Sequence, residues 1–318
     1  MVAERILSEA LAWADHPYDP SKRQQSRLYV GGEGGVGKSQ IIKAIMAGMD
    51  LICRKQEVIL MAPTGDAADN IGGNTCHTSL GISIDRSRRT AMGARVRKLW
   101  ARKTIMIVDE ISMVDLGMLS VIDSHCKIAR SLERGSTDFF GGLPVVILMG
   151  DFFQFPPVRG PPLWKPPRNG KDEEQNGKLI WLQFNQVILL DEQMRQAEDP
   201  PFRHLLSRAR TATLSVDDLN LLNSKAITSL VAPDLGDTTI VVKLNTLRQQ
   251  VNRIRMEHFA RSRGQKIFAF VGLHTRTKST GPTNLRLHAD DLLGLPEQGT
   301  KIPFQACSCT HRPCLWHY

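Results

Sequence analysis

The sequence predicts an α/β fold built around a parallel sheet, and three observations carry that reading. Short apolar runs at 58–63 (VILMAP), 104–110 (TIMIVDE) and 144–151 (PVVILMGD) each end in small or polar residues, as strands covered on both faces do. Segments with helical spacing lie between them, the alternation expected of an α/β sheet. A glycine-rich stretch at 31–39, GGEGGVGKS, sits between a strand-like segment and a helix-like one, where such sheets expose working groups at the carboxyl ends of strands.

Taken in order, residues 4–14 place Ile6, Leu7, Leu11 and Ala14 at near-helical spacing before HPYDPSK interrupts with two prolines. Arg27–Val30 ends a strand that feeds the glycine loop, and Ser39–Cys53 has the periodicity of a helix. After the third apolar run, three Pro-Pro pairs at 156–157, 161–162 and 166–167 predict an exposed loop over 155–180. Strand-like patterning resumes in WLQFNQVILLDEQMRQ, followed by helices at 201–210 and 216–230, a strand at 238–245 and a basic helix from 246 to 264. From about residue 271 the periodicity decays.

The chain has 318 residues and a formal charge of +9, a surplus that favours polyanionic partners. No apolar run approaches the length of a membrane span, and Asp15, His16, Pro17 and Asp19 occupy the place of a secretory signal's apolar core. Cys53, Cys76 and Cys126 are scattered, while Cys307, Cys309 and Cys314 crowd the last dozen residues. That is not a disulfide framework. With His311 these three make C-x-C-x-H-x-x-C, tighter than structural zinc spacings, so residues 304–318 are expected to form an atypical, unstructured tail.

Gly32 to Ser39 completes the pattern G-x-x-x-x-G-K-S, making this a P-loop NTPase fold. Gly32, Glu33, Gly34, Gly35, Val36 and Gly37 let backbone N–H groups approach phosphate oxygens, and the following helix adds its positive end. Lys38 is expected to reach the β and γ phosphates of ATP and Ser39 to ligate Mg2+. Asp109 and Glu110 end an apolar strand, Asp109 as a second magnesium ligand and Glu110 as the group that orients or deprotonates water. Gln154, after the third strand end, is a candidate γ-phosphate contact, and Asp151 a candidate link to the magnesium side. Arg195, in LDEQMRQ, is a candidate arginine finger.

These blocks, in this order, resemble the Pif1-like DNA helicases of superfamily 1, especially fungal members and the helicase modules of Helitron-type elements. The resemblance rests on GGEGGVGKS (31–39), APTGDAADNIGGNTCHTSLGI (62–82), IMIVDEISMV (105–114), FGGLPVVILMGDFFQFPPV (140–158), LDEQMRQAEDPPFRHLL (from 190) and KLNTLRQQVN (243–252). It implies two RecA-like lobes with ATP and Mg2+ between them, movement 5′ to 3′ on single-stranded DNA, and roles in DNA repair, recombination and telomere maintenance. It implies the catalytic set Lys38, Asp109, Glu110, Gln154 and Arg195, and strand contacts at Thr64 and Gly65, with Thr75 and His77 beside them. Single-stranded DNA and DNA junctions are the implied partners, and the nucleus, or else the mitochondrion, the implied compartment.

On that resemblance the domains are 1–27 (helix and linker), 28–190 (first RecA-like domain), 191–303 (the start of an incomplete second lobe) and 304–318 (tail). Two basic runs, Arg86 to Lys103 and Arg248 to Lys266, are candidates for tracking phosphates. The family's late motifs, resembling T-x-H-K-S-Q-G and Y-V-A-L-S-R, do not follow residue 265, so hydrolysis by this chain alone is expected to be weak or absent, without processive unwinding. The competing expectation is a non-enzymatic, ATP-responsive DNA-binding module, a degenerate copy of a mobile-element helicase.

Overall fold

A computed structural model describes residues 3–8, 25–82, 94–134, 138–226 and 238–266, with short strand segments at 268–270, 277–278, 281–282, 306–309 and 312–313. Contacts divide the chain into two compact units, Met1–Ala226 and Ile227–Tyr318. The segment from 191 to 226, placed by the sequence at the start of a second lobe, falls within the first of them.

The first unit is a six-stranded parallel sheet in the order β3-β2-β4-β5-β1-β6. Its strands are β1 (Ser26–Gly32), β2 (Val58–Ala62), β3 (Asn74–Thr75), β4 (Ile105–Val108), β5 (Val145–Gly150) and β6 (Gln186–Leu190). The helices are α1 (residues 3–8), α2 (Lys38–Leu51), α3 (Gly65–Asn70), α4 (Cys76–Leu80), α5 (Ala94–Trp100), α6 (Leu116–Arg134), α7 (Asp172–Trp181), α8 (Pro200–Arg210) and α9 (Val216–Ser224). Every residue of β4 and β5 is buried, which is why these strands are apolar without alternation.

Alternation survives in which face each side chain serves. Leu28, Val30, Leu60, Ile105, Ile107, Ile147 and Met149 pack with Ile6 of α1 and with Ile42, Ile45 and Met49 of α2 on one face. Met61, Met106, Val108, Val146 and Leu148 pack with Leu119, Ile122 and Cys126 of α6 and Ile180 of α7 on the other. Trp100 is fully buried there and donates its indole N–H to the Ser79 carbonyl at 2.8 Å.

The proline-rich stretch departs from the expected open loop over 155–180. Leu163 is fully buried and Leu116 N–H donates to the Pro161 carbonyl. Arg168 is held by hydrogen bonds to Glu174, and Lys178 donates to the Leu163 carbonyl at 2.9 Å. The prolines remove donors, but Lys178 of α7 and the Leu116 N–H of α6 anchor the carbonyls of Leu163 and Pro161, and Asp172–Trp181 is helical. Asp172, Glu173 and Glu174 in its first turn suit the positive helix end.

Three further expectations are corrected. Residues 238–244, predicted as a strand, form none, and the helix α10 (Asn245–Ser262) begins directly after them. Lys103, counted in a phosphate-tracking run, is buried and donates to the carbonyls of Gln56 and Val58 at 2.6 and 2.9 Å. Arg86, Arg88 and Arg89 of that run lie outside the described residues, whereas Arg95, Arg97 and Lys98 lie on α5 and Arg102 is exposed just after it. In α10, Arg253 and Arg261 each pair with Glu257 at i,i+4 spacing. The second unit also contains a three-stranded antiparallel sheet of β7 (Phe268–Phe270), β10 (Ala306–Cys309) and β11 (Arg312–Pro313). Cys307 and Cys309 of the expected unstructured tail therefore lie on a strand. The remaining pair, β8 (Thr277–Lys278) and β9 (Gly281–Pro282), is antiparallel.

Gly177 of α7 meets α6 so closely that an added Cβ would lie 1.8 Å from the Leu116 carbonyl oxygen. Gly177→Ala is expected to lower stability by about 2 kcal/mol through overpacking. An unshifted urea midpoint for this variant would disprove the close approach.

Candidate active site

All six strands run in one direction, so the loops that follow them emerge along a single edge of the sheet. Gly31 stands opposite Gly150 in the pairing of β1 with β5, and Val108 opposite Leu148 in that of β4 with β5. The glycine loop, the Asp109–Glu110 pair and the Asp151–Gln154 turn are thereby brought side by side.

The glycine loop enters α2 through Gly37, whose φ of 91° lies in the left-handed region that glycine tolerates. Lys38 folds back over the loop, its ammonium donating to the carbonyls of Gly32 at 2.7 Å and Glu33 at 2.8 Å. Burial pulls its pKa below the usual lysine value, against the opposing pull of Glu110, Asp109 and Asp151. Ser39 is exposed on the first turn of α2.

Asp109 is buried and accepts a hydrogen bond from the Glu110 N–H at 2.9 Å. Burial raises its pKa, with that hydrogen bond and Lys38 acting in the opposite sense. Glu110 has φ 51° and ψ 44°, a left-handed conformation rare for glutamate, and leads into a 3-10 turn at Ile111–Met113. Gly150 makes room for it, since a Cβ there would meet the Ile111 nitrogen at 2.8 Å. Burial first, and then the neighbouring Asp109 charge, raise the Glu110 carboxyl above its ordinary value.

Asp151 is 2% exposed and accepts two hydrogen bonds from the Arg210 guanidinium and one from the Phe153 N–H. Burial would raise its pKa, but the Arg210 and Phe153 hydrogen bonds outweigh it and the carboxyl lies below its ordinary value. The acid expected to serve the magnesium side is thus committed to an arginine. Phe152 anchors the same turn in an aromatic cluster, 5.2 Å from Tyr29 and 5.4 Å from Trp181 between ring centroids. Gln154 is exposed, and its amide nitrogen lies 3.6 Å from where a Cβ on Gly34 would stand.

The loop after β6 closes on the glycine loop from the other side. Gln193 donates from its amide to the Gly34 carbonyl at 2.8 Å, and Met194 N–H donates to the Gly35 carbonyl at 3.1 Å. Arg195 is exposed, its Cβ 2.7 Å from the position a Cβ on Gly35 would take. The structure therefore brings Lys38, Asp109, Glu110, Gln154 and Arg195 to one place. Gln193 and Arg210 join them without having been singled out from the sequence. Gln193 stands two residues before Arg195 in a block already noted, whereas nothing in the spacing of α8 distinguishes Arg210 from Arg203 or Arg208.

Thr64 and Gly65 follow β2, and Thr75 ends β3 with His77 just after it, on the same edge. Both threonines are helix N-caps, Thr64 accepting from the Ala67 N–H at 3.3 Å and Thr75 from the Thr78 N–H at 3.2 Å. Gly65 begins α3 and His77 lies in the first turn of α4. These residues are thus explained first as the turns that end two strands.

The arrangement can hold a polyphosphate. Its glycines give backbone donors access, and a cation and a helix N-terminus supply positive potential. Ser39 and Asp109 are the donors a magnesium ion would find. Among the described residues no cluster of three or more His, Cys, Asp or Glu forms. One hydroxyl and one carboxylate fit magnesium, which fills most of its octahedron with phosphate oxygens and water.

Residues 19–206 match the family model described as PIF1-like helicase. The ATP-dependent DNA helicase PIF1 of Saccharomyces cerevisiae is 30% identical over 245 residues, covering 75% of this chain and 27% of that protein. RRM3, an ATP-dependent DNA helicase of the same species, is 31% identical over 207 residues, covering 61% and 26%. The chain thus spans about a quarter of the length of these curated relatives. Among solved structures, Pif1 helicase from Candida albicans superposes with a TM-score of 0.60 at 23% identity, over 85% of this chain and 55% of that one. Bacteroides Pif1 bound to single-stranded DNA gives 0.59 at 21% identity, over 89% and 60%. At these identities the superpositions establish the α/β, RecA-like fold.

Gly35 has φ 97°, and a Cβ on it would lie 2.2 Å from the Gln193 side-chain oxygen. Gly35→Ala is expected to weaken binding of a nucleoside triphosphate by about tenfold or more, measured by titration calorimetry. Undiminished affinity would show that the Gln193 clamp is dispensable.

Proposed function

The chain belongs to the PIF1-like helicase family, and from that premise we propose that it is the nucleotide-hydrolysing part of an ATP-dependent 5′-to-3′ DNA helicase. The convergence of Lys38, Asp109, Glu110 and the Asp151–Gln154 turn on one sheet edge carries the proposal. Six ordered sequence blocks favour kinship with the fungal and mobile-element members. DNA repair, recombination and telomere maintenance, in the nucleus or alternatively the mitochondrion, are the processes proposed with it.

In this reading the glycine loop binds the triphosphate through its backbone N–H groups, and Lys38 exchanges the Gly32 and Glu33 carbonyls for phosphate oxygens. Ser39 and Asp109 would hold Mg2+, which offsets phosphate charge. Glu110, its carboxyl raised by burial and by Asp109, takes a proton from the attacking water. Gln154, beside Gly34, orients that water or the terminal phosphate. Arg195, seated against Gly35, supplies positive charge to the transferring group. Thr64, Gly65, Thr75 and His77 are the proposed contacts to single-stranded DNA, presented by the capped turns after β2 and β3. DNA junctions are proposed alongside single strands, with the exposed cations of α10 as phosphate contacts.

Phosphate release measured with and without single-stranded DNA tests the assignment. DNA-stimulated turnover is expected to vanish in Lys38→Ala and to fall at least about a hundredfold in Glu110→Gln, the size of a general-base contribution. ATP-dependent DNA binding with no turnover in the unmodified chain would instead favour a binding module. The pH profile provides a second test. Glu110 acts as the ionised base and its pKa is raised, so turnover is lost as pH falls through a value above the ordinary 4.5 of glutamate. An acid limb unchanged in whatever rate Glu110→Gln retains would assign that limb to another group.

A further inference from the structure

Arg210, the last residue of α8, lies beyond the segment matched by the family model, yet its side chain reaches the centre of the site. Its guanidinium donates to both oxygens of Asp151, one bond at 2.6 Å. On another side it faces the Glu33 carboxylate of the glycine loop at 3.5 Å. It also lies over the Phe153 ring, 4.4 Å from the centroid. One cation therefore joins the glycine loop to the turn that carries Gln154.

The attachment of Arg210 is itself built. Two residues earlier, Arg208 donates to Asp218 of α9 at 2.7 and 2.5 Å, and Asp218 also accepts from the Ser215 N–H and hydroxyl. The Ser215–Asp218 capping box fixes the start of α9, and so the end of α8 from which Arg210 projects. The two arginines occupy the last turn, where the negative helix end favours cations.

We propose that Arg210 is a positioning residue: by pairing with Asp151 and Glu33 it holds the Asp151–Gln154 turn against the glycine loop and makes the site discriminate nucleoside triphosphate from diphosphate. The proposal rests on the reading of Gly31–Ser39 as a nucleotide site. Asp151 is buried within the electrostatic reach of Lys38, the residue expected to meet the terminal phosphates. Stripped of Arg210, its carboxylate would stand uncompensated beside the extra negative charge of a third phosphate. A diphosphate would meet that charge less directly. Loss of the same contact also frees the Gln154 turn from the loop.

The experiment compares dissociation constants of ATPγS and ADP, both with Mg2+, for the full chain and for Arg210→Met, Arg210→Lys and the double variant Arg210→Met/Asp151→Asn. Arg210→Met is expected to reduce the preference for ATPγS over ADP by about tenfold, within the usual range of coupling between sites. Arg210→Lys should recover part of it. The double variant removes the unpaired buried carboxylate, so it remains measurable if Arg210→Met fails to fold. It should still show a reduced preference because the turn is untethered. An unchanged ratio in either Met-containing variant, including equal loss of both affinities, would overturn the positioning role while leaving the nucleotide site intact. Failure of the unmodified chain to bind either nucleotide would overturn both.

Discussion

The pairing of β1 with β5 is the constraint on which the site depends. Because Gly31 stands opposite Gly150, the glycine loop and the Asp151 turn leave the sheet at the same level. A slip of two residues, the smallest that keeps the same side chains in the core, would displace one from the other by about 7 Å. The register is held from both faces, by Ile147 and Met149 packed toward α2 and by Val146 and Leu148 packed toward α6. Core packing thus sets where the glycine loop stands against the Asp151 turn.

The legible part of the sequence was the part governed by local rules. Continuous apolar runs marked β2, β4 and β5 because a strand covered on both faces has no polar side to show. The glycine loop was legible because close backbone approach and a following helix leave few residue choices. The segment at 238–244 misled for the converse reason: TTIVVK has strand composition, but composition cannot supply a neighbouring strand to pair with. The proline-rich stretch misled because prolines announce irregular backbone and say nothing about burial. Leu163 is enclosed there through carbonyls that α7 and α6 satisfy, contacts made across the fold.

Charge illustrates the same limit. A surplus of cations suggested nucleic acid, yet some of those cations are structural. Lys103 terminates a connection by donating to two carbonyls, and Arg130 bridges the carbonyls of Gly141 and Lys103. Arg210 is the instructive case, a cation between two carboxylates distant in sequence. Its partners are 59 and 177 residues away, and no spacing rule reaches so far. Buried pairs of this kind are seldom strong sources of net stability; their asymmetry is what matters, since removing one member strands the other's charge.

The two hydrogen bonds that Lys38 makes to its own loop have a thermodynamic corollary. A cation already satisfied by carbonyls gives up those bonds when it meets an anion, so any ligand is weighed against an internal competitor. A lone orthophosphate replaces the carbonyls and gains little else, whereas a chain of phosphates replaces them and also engages the loop's N–H groups and the end of α2. On the proposed nucleotide reading, the lysine's self-contact would act as a threshold. Occupancy would then depend on the length of the phosphate chain, and small anions would be poor competitors for the ammonium.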